Sequence, residues 1–243
     1  MQINNHYLKK MYTWLLPFIC ILCGQPAEQN QDLCRACHKM LPLLIHGCPC
    51  CAIPLPDSAA GFICGQCLQT TPPFNITHAL YCYELPITKL ILELKFNQAL
   101  VNARLLGELL AAEIQQKWYR TSPLPSLIIP MPLHKARLKE RGFNQALEIA
   151  RPIANMLNLP IHISHCHRRK LTQPQTMLSA AERRKNVKGA FIVTKNFSGQ
   201  HVAVIDDVIT TGSTMVEFCK ALKQQGAARI DVWCCARAGH ASD

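Results

Sequence analysis

The sequence has no long apolar run. No stretch of about 18 uncharged apolar residues, the length that a membrane-spanning helix needs, occurs among its 243 residues. We therefore expect no membrane span. The segment 11-MYTWLLPFICIL-22 follows two lysines, as in a secretory signal, but no small-x-small cleavage site comes after it. We interpret this segment as an apolar lead-in that packs on the protein, and we predict a cytoplasmic location.

Acidic residues are scarce in one part of the chain. The formal net charge is +11, and residues 131–188 hold 12 Lys or Arg against three Glu. This local excess predicts an anionic partner, either a small molecule that carries phosphate or a nucleic-acid backbone. A Walker A sequence is absent, which excludes a P-loop ATPase.

Cysteine, in contrast, is abundant. Nine of the 14 cysteines lie between Cys20 and Cys67. A disulfide framework would imply export, whereas in a reducing compartment clustered thiols usually hold metal. Because no convincing export signal is present, the cluster indicates zinc.

Eight of these cysteines form four Cys-x-x-Cys pairs that repeat one unit twice. Two such turns close one tetrahedral zinc site, so four pairs predict two structural zinc ions. The sequential assignment places Cys20, Cys23, Cys34 and Cys37 in one site, and Cys48, Cys51, Cys64 and Cys67 in the other. A crossed pairing, and Cys50 in place of Cys51, are the alternatives. We predict a double zinc-ribbon-like domain over residues 1–72, ordered mainly by metal.

After two prolines at 72 and 73, the chain alternates strands and helices. Apolar patterns predict strands near 76–84, 126–130, 161–165, 201–205 and 229–235, and helices near 86–96, 100–117, 143–157 and 213–225. This order is typical of an α/β domain, here residues 73–243, with a parallel sheet that has helices on both faces. Pro152 is expected to kink the helix near 143–157 or to end it early.

The run 202-VAVIDDVITTGST-214 is the most informative motif. It predicts a buried strand with two carboxylates at its carboxyl end, followed by a short loop and a helix, where open α/β sheets bind ligands. Asp206 and Asp207 can accept hydrogen bonds from vicinal ribose hydroxyls, while the loop cradles a phosphate at the helix N-terminus. The loop residues are Thr210, Thr211, Gly212, Ser213 and Thr214. A plain turn with a helix cap is the alternative.

This loop resembles the phosphoribosyl-diphosphate motif of type I phosphoribosyltransferases, and the chain as a whole resembles the ComF family of bacterial competence proteins. The resemblance is carried by the paired cysteine modules, by 129-IPMPLHKARLKERGFNQALEIAR-151 and by 172-TQPQTMLSAAERRKNVKGAF-191. It covers residues 20–237. It implies a type I phosphoribosyltransferase-like fold behind a double zinc ribbon, and a role in natural transformation that involves incoming single-stranded DNA.

The resemblance also implies roles for individual residues. Asp206 and Asp207 would be the catalytic pair that holds the ribose of phosphoribosyl diphosphate, and the 210–214 loop would hold its 5′-phosphate. The loop after strand 126–130 would face the diphosphate and a Mg²⁺ ion with Lys135, Arg137 and Arg141. A flap over about 166–178 would cover the site. Single-stranded DNA would meet the basic residues Arg168, Arg169, Lys170, Arg183 and Arg184.

Three functions are compatible with these motifs. The first is a DNA-uptake protein that binds phosphoribosyl diphosphate and docks other competence proteins on its zinc module. The second is an active phosphoribosyltransferase of nucleotide metabolism, whose acceptor no base-specific motif identifies. The third is a non-catalytic binder that senses a ribose phosphate.

Overall fold

The computed structural model describes residues 18–28, 31–170 and 187–239. The apolar segment 11–17, residues 171–178 of the predicted flap, Arg183 and Arg184 lie outside these ranges. Contacts divide the chain into two compact units, Met1–Pro42 and Leu43–Asp243. This division falls earlier than the boundary predicted near residue 72, because the second cysteine module packs within the larger unit.

The first unit contains one cysteine module. Ile19 and Pro26 form an isolated bridge, and the N–H of Cys20 donates to Gln25 at 2.8 Å. The N–H of Gly24 closes the turn by donating to Cys20 at 2.8 Å. Helix α1 (Arg35–Lys39) follows Cys34, whose sulfur accepts from the Cys37 N–H at 3.5 Å.

The second module repeats this pattern inside the larger unit. Gly47 bridges Pro54, the Cys48 N–H donates to Ile53 at 2.9 Å, and the Ala52 N–H donates to Cys48 at 2.8 Å. A 3-10 turn (Asp57–Ala59) and helix α2 (Gly65–Gln69) follow. The hydrogen bonds therefore reproduce the internal repeat that the cysteine spacing predicts.

The second module is continuous with the α/β core. The Leu44 N–H donates to the Leu80 carbonyl at 3.0 Å, and Leu43 bridges Tyr81. Ala52 and Phe74 are buried in the same apolar cluster as the central strands. Shared burial of this kind is the physical reason that the contact boundary lies at Pro42.

The main sheet is parallel and has four strands. Its strands are β1 (Ile76–Cys82), β2 (Leu127–Pro130), β5 (His201–Ile209) and β6 (Arg229–Arg237), and their order is β1-β6-β5-β2. A separate antiparallel pair consists of β3 (Cys166–Arg168) and β4 (Phe191–Val193). The strand predicted at 161–165 is wrong, because only Ile161 makes a bridge, to Ile128, before the chain turns towards β3.

Helices cover both faces of the sheet. They are α3 (Ile87–Asn97), α4 (Leu100–Glu113) with a π-helical turn (Ile114–Trp118), α5 (Lys135–Arg141), α6 (Gln145–Leu157) and α7 (Ser213–Gln224). Phe218 of α7 packs with Val202 and Val204, whereas α4 and α6 pack together and contact strands of the sheet from the other side. In the described ranges every helix is too short or too polar to span a bilayer.

Pro152 does not end its helix, so that part of the expectation is wrong. Helix α6 continues to Leu157, with Ile149 and Ile153 buried on its inner face. Gly107 of α4 lies against this point: a Cβ there would be 2.3 Å from Pro152 Cγ and 2.5 Å from the Ile149 carbonyl oxygen. Tertiary packing of the apolar face therefore outweighs the lost backbone hydrogen bond.

We expect Gly107→Ala to lower the free energy of unfolding by about 1–3 kcal/mol, although alanine is the better helix former, because the new methyl group overpacks the contact. Denaturant unfolding measures the effect. Gly65→Ala is the control, since a Cβ at Gly65 meets no atom within 4 Å. A Gly107→Ala protein as stable as the parent would contradict this close helix contact.

Candidate active site and metal centres

The acid pair lies at the carboxyl edge of the sheet. Strand β5 runs on to Ile209 rather than ending at 205, so Asp206 and Asp207 belong to the strand itself. Asp207 is 2% exposed and Asp206 is half-buried. Ligands of parallel α/β sheets bind at this edge.

A cavity of about 290 Å³ opens in front of this pair. The predicted residues that line it are Asp206, Asp207, Thr210, Gly212, Ser213, Thr214, Arg137, Arg141 and Arg168. Lys135, Arg169 and Lys170 are exposed, and neither they nor Thr211 are part of the lining. Most of the residues chosen for the ribose, the phosphate and the diphosphate thus surround one space.

Lys95 is a site residue that the sequence reasoning missed. Its Nζ pairs with the buried Asp207 carboxylate, and its own side chain is only 17% exposed. Burial lowers the pKa of Lys95, but the charge and hydrogen bond of Asp207 outweigh burial, so the net shift is upward. The available signal was its place four residues after Ile91, beside the apolar stripe of α3.

Asp206 has a different environment. Its Oδ1 accepts a hydrogen bond from the Asp207 N–H at 2.9 Å. Burial raises the pKa of Asp206 well above its usual range, and the neighbouring Asp207 raises it further, with only partial opposition from Lys95. Asp206 is therefore a carboxyl whose negative charge the protein alone stabilises poorly.

Two arginines form a basic wall on a helix rather than on the predicted open loop. Helix α5 is capped by His134, whose Nδ1 accepts from the Ala136 N–H at 3.2 Å. The spacing of four residues places Arg137 and Arg141 on the same side of α5, whereas Lys135 points elsewhere and is exposed. Burial lowers the pKa of Arg141, and Asp207 opposes that shift. An anion in the cavity would compensate the desolvation of Arg141.

The loop after β5 has the geometry of a phosphate cradle. Gly212 adopts φ +77°, a conformation that favours glycine, and α7 begins at the next residue. As the cap residue, Gly212 has no side chain to accept hydrogen bonds from the first-turn N–H groups. Those N–H groups at a 12-residue helix are suited to an anionic ligand.

Arg237 supports this loop from behind and was also missed from the sequence. It is 3% exposed at the end of β6. Its Nη1 donates to the carbonyls of Ile209 and Thr210, and its Nε donates to the Cys51 carbonyl at 2.9 Å. Its position directly after the apolar run 232–236 was the only signal in the sequence.

The cysteines gather in two groups, in sequential order. The groups are Cys20, Cys23, Cys34 and Cys37, and Cys48, Cys51, Cys64 and Cys67. All sulfurs of a group lie within 4.8 Å of one another, with Cys23–Cys34 at 3.8 Å and Cys51–Cys64 at 3.7 Å. Tetrahedral zinc with Zn–S bonds of about 2.3 Å requires sulfurs about 3.8 Å apart, whereas a disulfide needs about 2 Å. This donor set fits Zn²⁺, and Cys50 is not part of it.

Of the predicted DNA-binding residues in the described part, only Arg168 lines the cavity. Its guanidinium lies 5.6 Å from the centre of the Phe191 ring. Arg169 and Lys170 come after β3 and are exposed, and Lys170 Nζ donates to the Lys188 carbonyl at 2.6 Å.

Comparison with known proteins assigns the chain to a family. The Double zinc ribbon domain family matches residues 11–74, and the Phosphoribosyl transferase domain family matches residues 144–242. DNA utilization protein YhgH of Salmonella typhi is 34% identical over 224 residues, or 91% of this chain and 98% of that protein. Competence protein F of Haemophilus influenzae is 36% identical over 226 residues, or 91% and 97% of the two chains. The chain belongs to the ComF family.

A more distant relative supports the same family assignment. Competence protein ComFC of Bacillus subtilis is 25% identical over 234 residues, which cover 86% of this chain and 90% of that protein. The larger unit has the type I phosphoribosyltransferase-like fold that the family implies, with its parallel sheet and flanking helices. The two four-cysteine groups are the zinc sites of the double zinc ribbon. Four thiolates leave no open position for water, so these zinc sites are structural.

We expect metal analysis of the ComF protein to give two zinc ions per chain. Cys51→Ser should reduce the content towards one, because it removes a ligand of the second site. Cys50→Ser should retain both ions and is the matched control. The assignment would be overturned if Cys50→Ser, and not Cys51→Ser, lost zinc.

Proposed function

We propose that this ComF protein binds phosphoribosyl diphosphate at the carboxyl edge of β5 and acts in the cytoplasm on incoming single-stranded DNA during natural transformation. The proposed donor binding rests on one observation. An acid pair, a phosphate cradle at a helix start and three arginines line a single cavity. The proposed role in transformation is supported by relatives that are named for DNA utilization and competence.

Each part of the ligand has a matching part of the cavity. Asp206 and Asp207 accept hydrogen bonds from the ribose hydroxyls, and the 210–214 loop holds the 5′-phosphate. The diphosphate lies against Arg137, Arg141 and Arg168, which line the same cavity. The carboxylates are hard oxygen ligands, and a bound Mg²⁺ would supply charge neutralisation for the diphosphate.

A thermal-shift experiment separates these contributions. The complete donor with Mg²⁺ should raise the melting temperature more than ribose 5-phosphate or diphosphate, because each of these fills only part of the cavity. A ligand at 100 times its Kd adds about 2.7 kcal/mol of stability. Equal shifts from diphosphate and the donor would show that the ribose and 5′-phosphate contacts are absent.

Catalytic transfer is a second candidate, and the basic wall favours it. In that reaction an acceptor nucleophile bonds to the anomeric carbon as the bond from that carbon to the diphosphate oxygen breaks. Arg137 and Arg141 would stabilise the charge on the departing diphosphate. Diphosphate release with one member of a panel of nucleobases would establish an enzyme. Saturable donor binding with no release across the panel would support the non-catalytic binder.

DNA binding is proposed for a basic rim that consists of Arg168, Arg169 and Lys170, and its salt dependence provides the test. Backbone contacts to single strands give a log–log salt slope of about −0.7 per phosphate contact. Arg169→Ala combined with Lys170→Ala should weaken binding and flatten the slope, because both are exposed cations that directly follow the cavity-lining Arg168. Lys223→Ala, at the far end of α7, is the control. Tight binding without salt dependence would contradict the basic-rim proposal.

The second cysteine module offers a docking surface for another DNA-uptake protein. Ile45, Phe62 and Leu68 are 78%, 68% and 70% exposed, so the module presents large apolar side chains to solvent. Replacing Phe62 and Leu68 by Ser should reduce transformation while zinc content and donor binding are retained. Transformation at the parental level would argue against this surface.

A further inference from the structure

Arg237 is a buried cation whose hydrogen-bonding capacity is directed at backbone carbonyls. A buried guanidinium is costly unless its N–H groups are satisfied. Nη1 donates to Ile209 at 3.1 Å, to Ala238 at 2.8 Å and also to Thr210, while Nε donates to Cys51 at 2.9 Å. These carbonyls belong to parts of the chain that are far apart in sequence.

The two sides of this contact have different roles. Ile209 and Thr210 lead into the phosphate cradle, and Cys51 supplies a sulfur to the second four-cysteine group. Because the guanidinium is planar and rigid, it fixes the distance between the two carbonyl groups that it bridges. A displacement of Cys51 is therefore transmitted to the start of the cradle.

The cradle has little packing support of its own. Gly212 and Ser213 line the donor cavity and also a second cavity of about 700 Å³, and the residues 210–214 are all exposed or only partly buried. The far walls of this second cavity include Gln66, Thr70 and other residues of the second module. A loop between two cavities gains little from side-chain contacts, so its conformation depends strongly on hydrogen bonds such as those of Arg237.

We infer that Arg237 is a positioning residue that makes the second zinc site part of the donor site. Zinc at the second four-cysteine group holds Cys51, Arg237 holds the cradle against Cys51, and the cradle holds the 5′-phosphate. This inference depends on the proposed donor binding. It predicts that the second zinc site contributes to ligand affinity as well as to folding.

Arg237→Gln and Arg237→Lys test the connection by calorimetric titration with phosphoribosyl diphosphate and Mg²⁺. We expect Arg237→Gln to weaken binding at least tenfold. Arg237→Lys should weaken binding less, because the lysine ammonium can replace some of the hydrogen bonds that the guanidinium donates. Arg229→Gln is the control, since Arg229 lies at the other end of β6 and donates to Asp231. A folded Arg237→Gln protein with parental affinity would overturn the inference.

Hydrogen exchange without ligand gives a second, independent readout. The backbone N–H groups of 211–214 should exchange faster in Arg237→Gln and in Cys51→Ser, while β5 and β6 remain protected. Cys50→Ser should behave as the parent. Unchanged exchange in both variants would also overturn the inference. If loop exchange increases but the parent binds no donor, the coupling stands and the proposed donor binding is wrong.

Discussion

Asp206→Asn should stabilise the folded protein while abolishing binding of phosphoribosyl diphosphate. The Asp206 carboxylate is partly buried beside Asp207, and both the burial and the neighbouring charge disfavour its ionised form and raise its pKa. An amide of the same shape removes that repulsion, and such changes at functional sites commonly add about 0.5–2 kcal/mol. The same change removes an acceptor for the ribose hydroxyls, so we expect affinity to fall at least a hundredfold.

Asp207→Asn should have the opposite effect on stability. It leaves the largely buried Lys95 ammonium without its carboxylate partner. Removing one partner of such a contact costs about 1–3 kcal/mol. Donor binding should be lost as in Asp206→Asn. Denaturant unfolding measures the stability of the two variants, and calorimetry measures their donor affinity. If both substitutions changed the stability in the same direction, the two carboxylates would not have the different environments described above.

The stability of the parent should also depend on pH through Asp206. Its pKa is higher in the folded state, so the folded protein retains a proton that the unfolded chain releases above pH about 4. Stability contributed by this group therefore falls as pH rises from the unfolded pKa towards the folded one. The extra stability of Asp206→Asn over the parent should grow as the pH rises over that range, and it should vanish in stronger acid.

Asp231→Asn should destabilise the protein by about 1–3 kcal/mol without changing donor affinity, because it weakens three hydrogen bonds to a buried carboxylate. Asp231 is fully buried on β6. It accepts hydrogen bonds from Tyr119 Oη at 2.6 Å, His201 Nε2 at 2.8 Å and Arg229 Nε at 2.9 Å. Asp57→Asn is the control, since Asp57 is almost fully exposed. A loss below 1 kcal/mol would show that the network is weak.

Asp206 and Asp231 should make the stability depend on pH in opposite directions. Burial raises the pKa of Asp231, but hydrogen bonds from Arg229, Tyr119 and His201 outweigh burial and make the net shift downward. Stability from Asp231 is therefore present above the unfolded pKa near 4 and is lost as pH falls through the folded pKa. The free energies of unfolding of the parent and of Asp231→Asn should therefore converge as the pH is lowered.

Features that depend on residues close together in the sequence could be predicted. The cysteine spacing gave the zinc groups, and 202–214 gave the acid pair, the cradle and their place at a strand end. Their chemistry depends on local spacing, which the sequence displays directly.

Features that depend on tertiary contacts could not be predicted. Lys95 and Arg237 come from segments far from 206–214, and nothing in the sequence specifies that a helix and an edge of the sheet bring them there. The exposed position of Lys135 depends on the helical twist of α5, which was expected to be a loop. The boundary at 72 stays a prediction: the ribbon match ends at 74, whereas contacts divide the chain at Pro42.

Titration calorimetry of the zinc-loaded protein with phosphoribosyl diphosphate and Mg²⁺ tests the central claim most directly. We predict saturable binding at one site per chain, much weaker binding of ribose 5-phosphate, and no binding by Asp206→Asn. The absence of saturable heat with folded protein that holds both zinc ions, at millimolar donor, would contradict the claim.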